Sequence, residues 1–141
     1  MKGFKLILVG LVMLWACDKE ESVLDPKLIT GTWKLENVTF NGIDGGAIND
    51  WVSTSAILQV DDNKHYYRNY VGGEWNINNR KLILDPGDRL PEFYWEYEIL
   101  ELTKETLKVK ILLSETQYCC DFDQFENDDV LVIIETYKKS E

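Results

Sequence analysis

Three kinds of residue in this chain could do chemistry: its cysteines, its single histidine and a dense run of carboxylates. Cys17 stands alone near the N-terminus, whereas Cys119 and Cys120 are adjacent. Neighbours on a strand point to opposite faces, so a disulfide between Cys119 and Cys120 requires a distorted peptide. Two free thiols, a vicinal disulfide and an intermolecular bridge are the three readings of that pair. His65 is the only histidine and lies inside an alternating segment, a structural rather than a catalytic setting. Neither thiol of the pair sits in a motif that would activate it as a nucleophile, and carboxylate pairs among 25 acids discriminate nothing. The chain therefore reads as a non-enzyme. Asp121, Asp123, Glu126 and Asp128 gather hard oxygens on one loop, which would suit calcium, but their spacing does not match the calcium loop with glycine at its sixth position. A solvated acidic loop is the plainer reading, and no metal or cofactor is expected.

What precedes Cys17 gives that cysteine its chemistry. Lys2 and Lys5 form a short basic region, Leu6 to Leu14 an apolar one, and the small Ala16 stands just before the cysteine. The apolar run has signal-peptide length and is too short to span a bilayer. Leu14-Trp15-Ala16-Cys17 resembles the lipobox of bacterial lipoproteins, which implies cleavage before Cys17, a diacylglycerol on its sulfur and acylation of the new amino terminus. Two or more acyl chains suffice for lasting attachment, since each buried methylene contributes roughly 0.8 kcal/mol. Asp18-Lys19-Glu20-Glu21 is similar to the export tag of surface-displayed lipoproteins in Bacteroidetes. The resemblance implies an outer-membrane, lipid-anchored and surface-exposed protein. An Asp directly after the cysteine also resembles an inner-membrane retention signal, which would leave the protein facing the periplasm. A solvated acidic tether is the third reading.

The organisation expected is a signal peptide over 1–16, a lipidated acidic tether over 17–27 and one domain over 28–141. Fifteen basic and 25 acidic residues give a net charge of −10, and loss of Lys2 and Lys5 with the leader takes it to −12. So acidic a surface repels nucleic acid and anionic lipid. Hydrophobic content of 45% and aromatic content of 12% supply ample apolar surface to bury.

Any site in the domain must be positioned by strands, because period-two segments recur and no helical stripe does. After a tether with one helical turn between Glu20 and Leu28, Trp33 and Leu35 alternate in one phase and Val38 and Phe40 in the other. A bulge near Glu36-Asn37 would account for the switch. Asn41 to Asn49, rich in Gly, Asn and Asp, reads as a long loop or lid leading to Trp51. Ala56-Leu58-Val60 and His65 to Tyr70 flank a turn at Asp61 to Lys64, and Gly72-Gly73 breaks the run. Trp75 and Ile77 lead to a tight turn at Asn78-Asn79, then to Leu82 and Leu84 and the breaker Asp85-Pro86-Gly87-Asp88. Phe93-Trp95-Tyr97-Ile99, Leu107-Val109-Ile111-Leu113, Gln117 to Phe122 and Val130 to Tyr137 complete eight or nine strands.

Even spacing and short turns favour an antiparallel up-and-down meander, and closure removes exposed edges. Leu28-Ile29-Thr30-Gly31-Thr32-Trp33-Lys34-Leu35 resembles the Gly-x-Trp opening of lipocalins, and more closely that of the lipocalin-like domains of small Bacteroidetes lipoproteins. Asp61-Asp62-Asn63, Gly73-Glu74-Trp75-Asn76-Ile77 and Glu135-Thr136-Tyr137-Lys138-Lys139 fit the later rhythm of those domains. The resemblance implies an all-β, eight-stranded lipocalin-like barrel with room for one small apolar ligand, although some relatives have filled interiors. It also implies that Trp33 plugs the barrel base. The Thr-Asp-Tyr segment and the late arginine that stacks on this tryptophan in typical lipocalins have no counterpart here; Lys138 and Arg68 are the cations considered for that place.

Alternation selects the residues that would line the interior: Leu58, Tyr67, Trp75, Trp95, Tyr97, Ile99 and Val109, with Trp51 near an open end. Core packing is the ordinary use of such aromatic stripes; as a pocket they would be mostly apolar, with Tyr67 or Tyr97 supplying a hydroxyl. Two functions follow. One is a surface-anchored carrier of a small hydrophobic or glycan-derived ligand, since Trp and Tyr faces also stack on sugar rings. The other is a non-enzymatic accessory module with a filled barrel that binds an outer-membrane protein partner.

Overall fold

In the computed structural model, which describes residues 23–48, 56–118, 125–126 and 129–140, strand β1 (Gly31–Phe40) changes phase halfway. Trp33 and Leu35 point inward, then Val38 and Phe40 do. The register against the last strand shifts between Leu35 and Asn37, so one extra residue, Glu36, resets the alternation, as a bulge does. The strand is preceded by a 3-10 turn, Pro26–Ile29, whose cap Asp25 accepts from the Lys27 amide at 3.0 Å. Proline at the first position suits such a start, because no amide partner is needed there.

The chain continues through β2 (Ile43–Asp44), α1 (Gly45–Ile48), β3 (Ile57–Val60), β4 (His65–Arg68), β5 (Val71–Asn78), β6 (Lys81–Asp85), β7 (Trp95–Leu102), β8 (Thr106–Ser114), α2 (Glu115–Tyr118) and β9 (Val130–Lys139). Every pairing is antiparallel, and β9 returns to β1, closing β1 and β3 to β9 into an eight-stranded barrel. β2 extends the sheet beside the far end of β1, at Thr39 and Phe40. The fold is thus the all-β antiparallel barrel expected from the alternation, with the architecture of a lipocalin-like barrel and one additional short strand.

The two ends differ. At one end the strands join through short turns, at Asp61 to Lys64, Asn79-Arg80 and Thr103 to Glu105. Lys64 and Asn79 adopt positive φ there, a conformation Asn tolerates well. The longer connections, after Ile48, Asp85 and Tyr118, all leave from the opposite end, which is the open one. Trp33 and Trp75 belong to the closed end, and the interior above them is packed with Leu58, Leu82, Tyr97, Ile99, Leu107, Val109, Ile133 and Tyr137, all nearly inaccessible. Each such side chain contributes about 1.5–3 kcal/mol on burial, so the middle of the barrel is core.

Several expectations change. Gly72-Gly73 does not end a strand; both lie within β5, and the break falls at Asn69-Tyr70, where Asn69 takes φ 56°. Glycine is required at 73 for a different reason: a Cβ there would collide with the backbone carbonyl of Asp85 on the neighbouring strand. Gln117 and Tyr118 belong to a helical turn, so the strand expected over Gln117 to Phe122 does not begin there. The loop expected over Asn41 to Asn49 contains β2, made by an Asn41-Gly42 turn with φ 50° and 82°, the positive pair a tight hairpin needs. Tyr67 faces outward and is 47% exposed; the inward position is Tyr66, paired with Val60 on one side and Gly73 on the other. With two adjacent tyrosines, only cross-strand register decides which one enters the core.

Candidate functional site

The alternation that places Tyr66 inside also places Arg68 inside, at the last position of β4. Glu135 on β9 shares the inward phase of Leu131, Ile133 and Tyr137 and is fully buried. The two meet across the barrel, Arg68 Nη2 donating to Glu135 Oε1 at 2.7 Å. Tyr118 Oη donates to the same oxygen and Tyr137 Oη donates to Oε2 at 2.7 Å, while Arg68 Nε makes a long 3.4 Å bond to Tyr137 Oη. Such satisfaction is what a buried ion pair requires, because desolvation otherwise outweighs its attraction.

Aromatic rings frame the pair. The Arg68 guanidinium lies 4.4 Å from the centroid of Trp95, within cation–π range. Tyr118 stacks on Trp95 at 6.0 Å and 17°, and Tyr97 meets Trp95 edge-on at 5.9 Å. Tyr97 Oη is buried with no hydrogen-bond partner among the described residues. Burial, foremost, raises the pKa of Tyr97, Tyr118 and Tyr137, with Glu135 adding to the effect. Burial alone would lower Arg68, but Glu135 and the tyrosines hold it well above its ordinary value. The cluster is therefore an ion pair ringed by protonated hydroxyls, and those hydroxyls are donors rather than nucleophiles.

Above the cluster, at the open end, lies a cavity of about 260 Å³ lined by Tyr66, Arg68, Leu84, Phe93, Trp95 and Tyr118 among others. It is slightly below the roughly 300–1,000 Å³ of drug-sized sites, so it fits a small molecule or one end of a larger one. A larger recess, about 960 Å³, lies on the outer wall across β6, β7 and β8. Its ion pairs are surface ones, Lys81 with Glu96 and Lys110 with Glu98, its Arg80 donates to the Ile99 and Leu100 carbonyls, and among the described residues it holds no buried ion pair like Arg68 with Glu135. The smaller cavity is the better site on chemical grounds.

Of the residues expected to line a site, Trp95 lines this cavity. Leu58, Trp75, Tyr97, Ile99 and Val109 lie in the core, and Trp51 is outside the described residues, as are Cys17, Cys119, Cys120, Asp121, Asp123 and Asp128. Glu126 is exposed, and no group of three or more candidate metal ligands occurs among the described residues. Arg68 and Glu135 as a site pair were missed. The signal was present in part: a charged residue in phase with Leu131, Ile133 and Tyr137 is anomalous for a strand facing a core.

At the closed end Trp33 is fully buried and its Nε1 donates to the Ile29 carbonyl at 2.6 Å. The cation over its ring is neither Lys138 nor Arg68 but Lys139, whose Nζ lies 4.8 Å from the centroid and donates to the Leu28 carbonyl at 3.2 Å. Lys138 points outward to Thr106 Oγ1. Alternation explains the correction, because Lys139 shares the inward phase of Tyr137. Comparison with models of known protein families yields no match, and comparison with characterised proteins yields none. Among the described residues no helix is long and apolar enough to cross a membrane.

Proposed function

We propose that this chain is a lipid-anchored carrier or scavenger, held at the outer membrane and exposed at the cell surface through Cys17, whose barrel mouth takes one end of a small, largely apolar molecule. The observation that carries the reading is the placement of Arg68 beneath an apolar-walled cavity at the open end. Replacing a buried ion pair by well-packed apolar residues is often neutral or stabilising, so the burial of Arg68 with Glu135 argues for a task beyond stability. Native mass spectrometry of mature protein from its own cells tests it: a reproducible small-molecule adduct is expected, and a bare monomer argues against cargo. A second test is binding of the neutral dye Nile red, expected in the parent and lost in Val71→Trp, which would fill the cavity rim.

The alternative, an accessory module that binds an outer-membrane protein partner, is favoured by one specific observation. The barrel below the mouth is filled, and its rim exposes Tyr70 at 94%. A stoichiometric protein partner without a small-molecule adduct in the same measurement would favour that reading. The lipid anchor is tested separately: Cys17→Ser is expected to leave the protein unlipidated and released, and membrane retention of that variant would remove the anchor from the proposal.

A further inference from the structure

The guanidinium of Arg68 has five N–H donors in a fixed fork, and the hydrogen bonds among the described residues engage two of them, Nε–H with Tyr137 and one Nη2–H with Glu135. The side chain retains 12% exposure and lines the mouth cavity. Three donors of a side chain that lines the cavity are thus left without a partner among the described residues. Glu135 offers no matching acceptor, being fully buried, with Oε1 taken by Arg68 and Tyr118 and Oε2 by Tyr137.

The charge balance narrows the ligand further. Glu135 at 2.7 Å already neutralises Arg68, so a carboxylate entering the cavity would place two anions beside one cation in a poorly solvated site. An ammonium would face Arg68 itself. Both carry the desolvation cost of a charge without a free partner. A neutral carbonyl needs only donors. One guanidinium face is covered by Trp95, and Leu84, Val71 and Phe93 supply apolar wall around the cavity.

We propose that the mouth cavity selects molecules whose inserted end is an uncharged hydrogen-bond acceptor, such as the carbonyl of an ester, lactone or amide, on an apolar body, and discriminates against carboxylates and amines. Arg68 is the contact residue and Glu135 sets the selectivity by cancelling its charge. This rests on the carrier reading.

Competition against Nile red with methyl decanoate, decanoate and decylamine near neutral pH tests it. Methyl decanoate is expected to displace the dye at a concentration about tenfold or more below the two charged analogues. In Arg68→Met/Glu135→Leu, which removes both charges and with them the donor, the ester is expected to bind about fivefold or more weakly than in the parent. Should the double variant not fold, Arg68→Lys retains a cation opposite Glu135 but loses the fork, and is expected to weaken the ester by about fivefold or more. Decanoate competing as well as the ester, or an ester affinity unchanged in the double variant or in Arg68→Lys, overturns the selectivity while leaving the carrier intact. Absence of Nile red binding to the parent protein overturns the carrier reading and this one with it.

Discussion

Arg68 and Glu135 are 67 residues apart in sequence and 2.7 Å apart in space. They belong to β4 and β9, which are not paired with each other, so the contact is made across the barrel interior rather than along a ladder. That geometry ties the open-end hairpin to the closing strand.

Breaking this pair from one side is expected to be far worse than removing it whole. Arg68→Met or Glu135→Leu alone leaves a buried uncompensated charge and costs about 3–5 kcal/mol, whereas the double substitution is expected to cost much less than either. Urea denaturation of the three variants measures the coupling; simple additivity would refute the account of a desolvated pair.

Stability is expected to fall in alkali. Tyr97, Tyr118 and Tyr137 have raised pKa values in the folded state, while unfolded tyrosines titrate near about 10. A raised folded value means the native state binds more protons above pH ~10, so the stabilisation is complete below that pH and is lost as pH rises further. Melting temperatures are expected to decline above pH ~10, and less steeply in Tyr97→Phe, which removes one such group together with its hydroxyl, partnerless among the described residues. An identical slope in parent and variant would contradict the assignment.

Adjacent glycines are expected to respond very differently. A Cβ at Gly73 would meet the Asp85 backbone, which cannot step aside, whereas one at Gly72 would meet its neighbours at 3.4 Å, an ordinary contact distance. Gly73→Ala should destabilise by more than about 2 kcal/mol and Gly72→Ala by less than about 1. Equal melting temperatures for the two variants would show that the strands do not approach as described.

Lys139 and Gly31 form a linked device at the closed end. Gly31 has φ 134°, and a Cβ on it would lie 2.5 Å from Lys139 Cε, so the glycine makes room for the lysine to cross Trp33. Lys139→Met keeps the apolar stem but removes the ammonium, and should cost about 1 kcal/mol. Gly31→Ala should cost more, because it adds backbone strain. Thermal melts rank the two; a neutral Gly31→Ala would exclude the crossing.

Much of the barrel was legible because its strands face a core on one side and solvent on the other, and period-two runs such as Trp95-Tyr97-Ile99 state that directly. The Leu35 to Val38 phase change was readable as a bulge for the same reason. Tyr66-Tyr67 was not, since both residues fit a strand interior and the choice is made by Val60 and Gly73 on neighbouring strands. The Gly72-Gly73 pair misled because a glycine that breaks a strand and a glycine that admits a neighbouring backbone look alike in one dimension.

By itself the amino-acid sequence determined the all-β class and the acidic balance, because these depend on local alternation and composition. The lipid-anchor proposal likewise rests on residues near the N-terminus alone. Only the tertiary structure decided that the barrel middle is filled, that the cavity lies at the mouth, that Lys139 covers Trp33 and that Arg68 finds Glu135. These depend on which strands face one another across a closed ring, and closure brings together residues that no local pattern links.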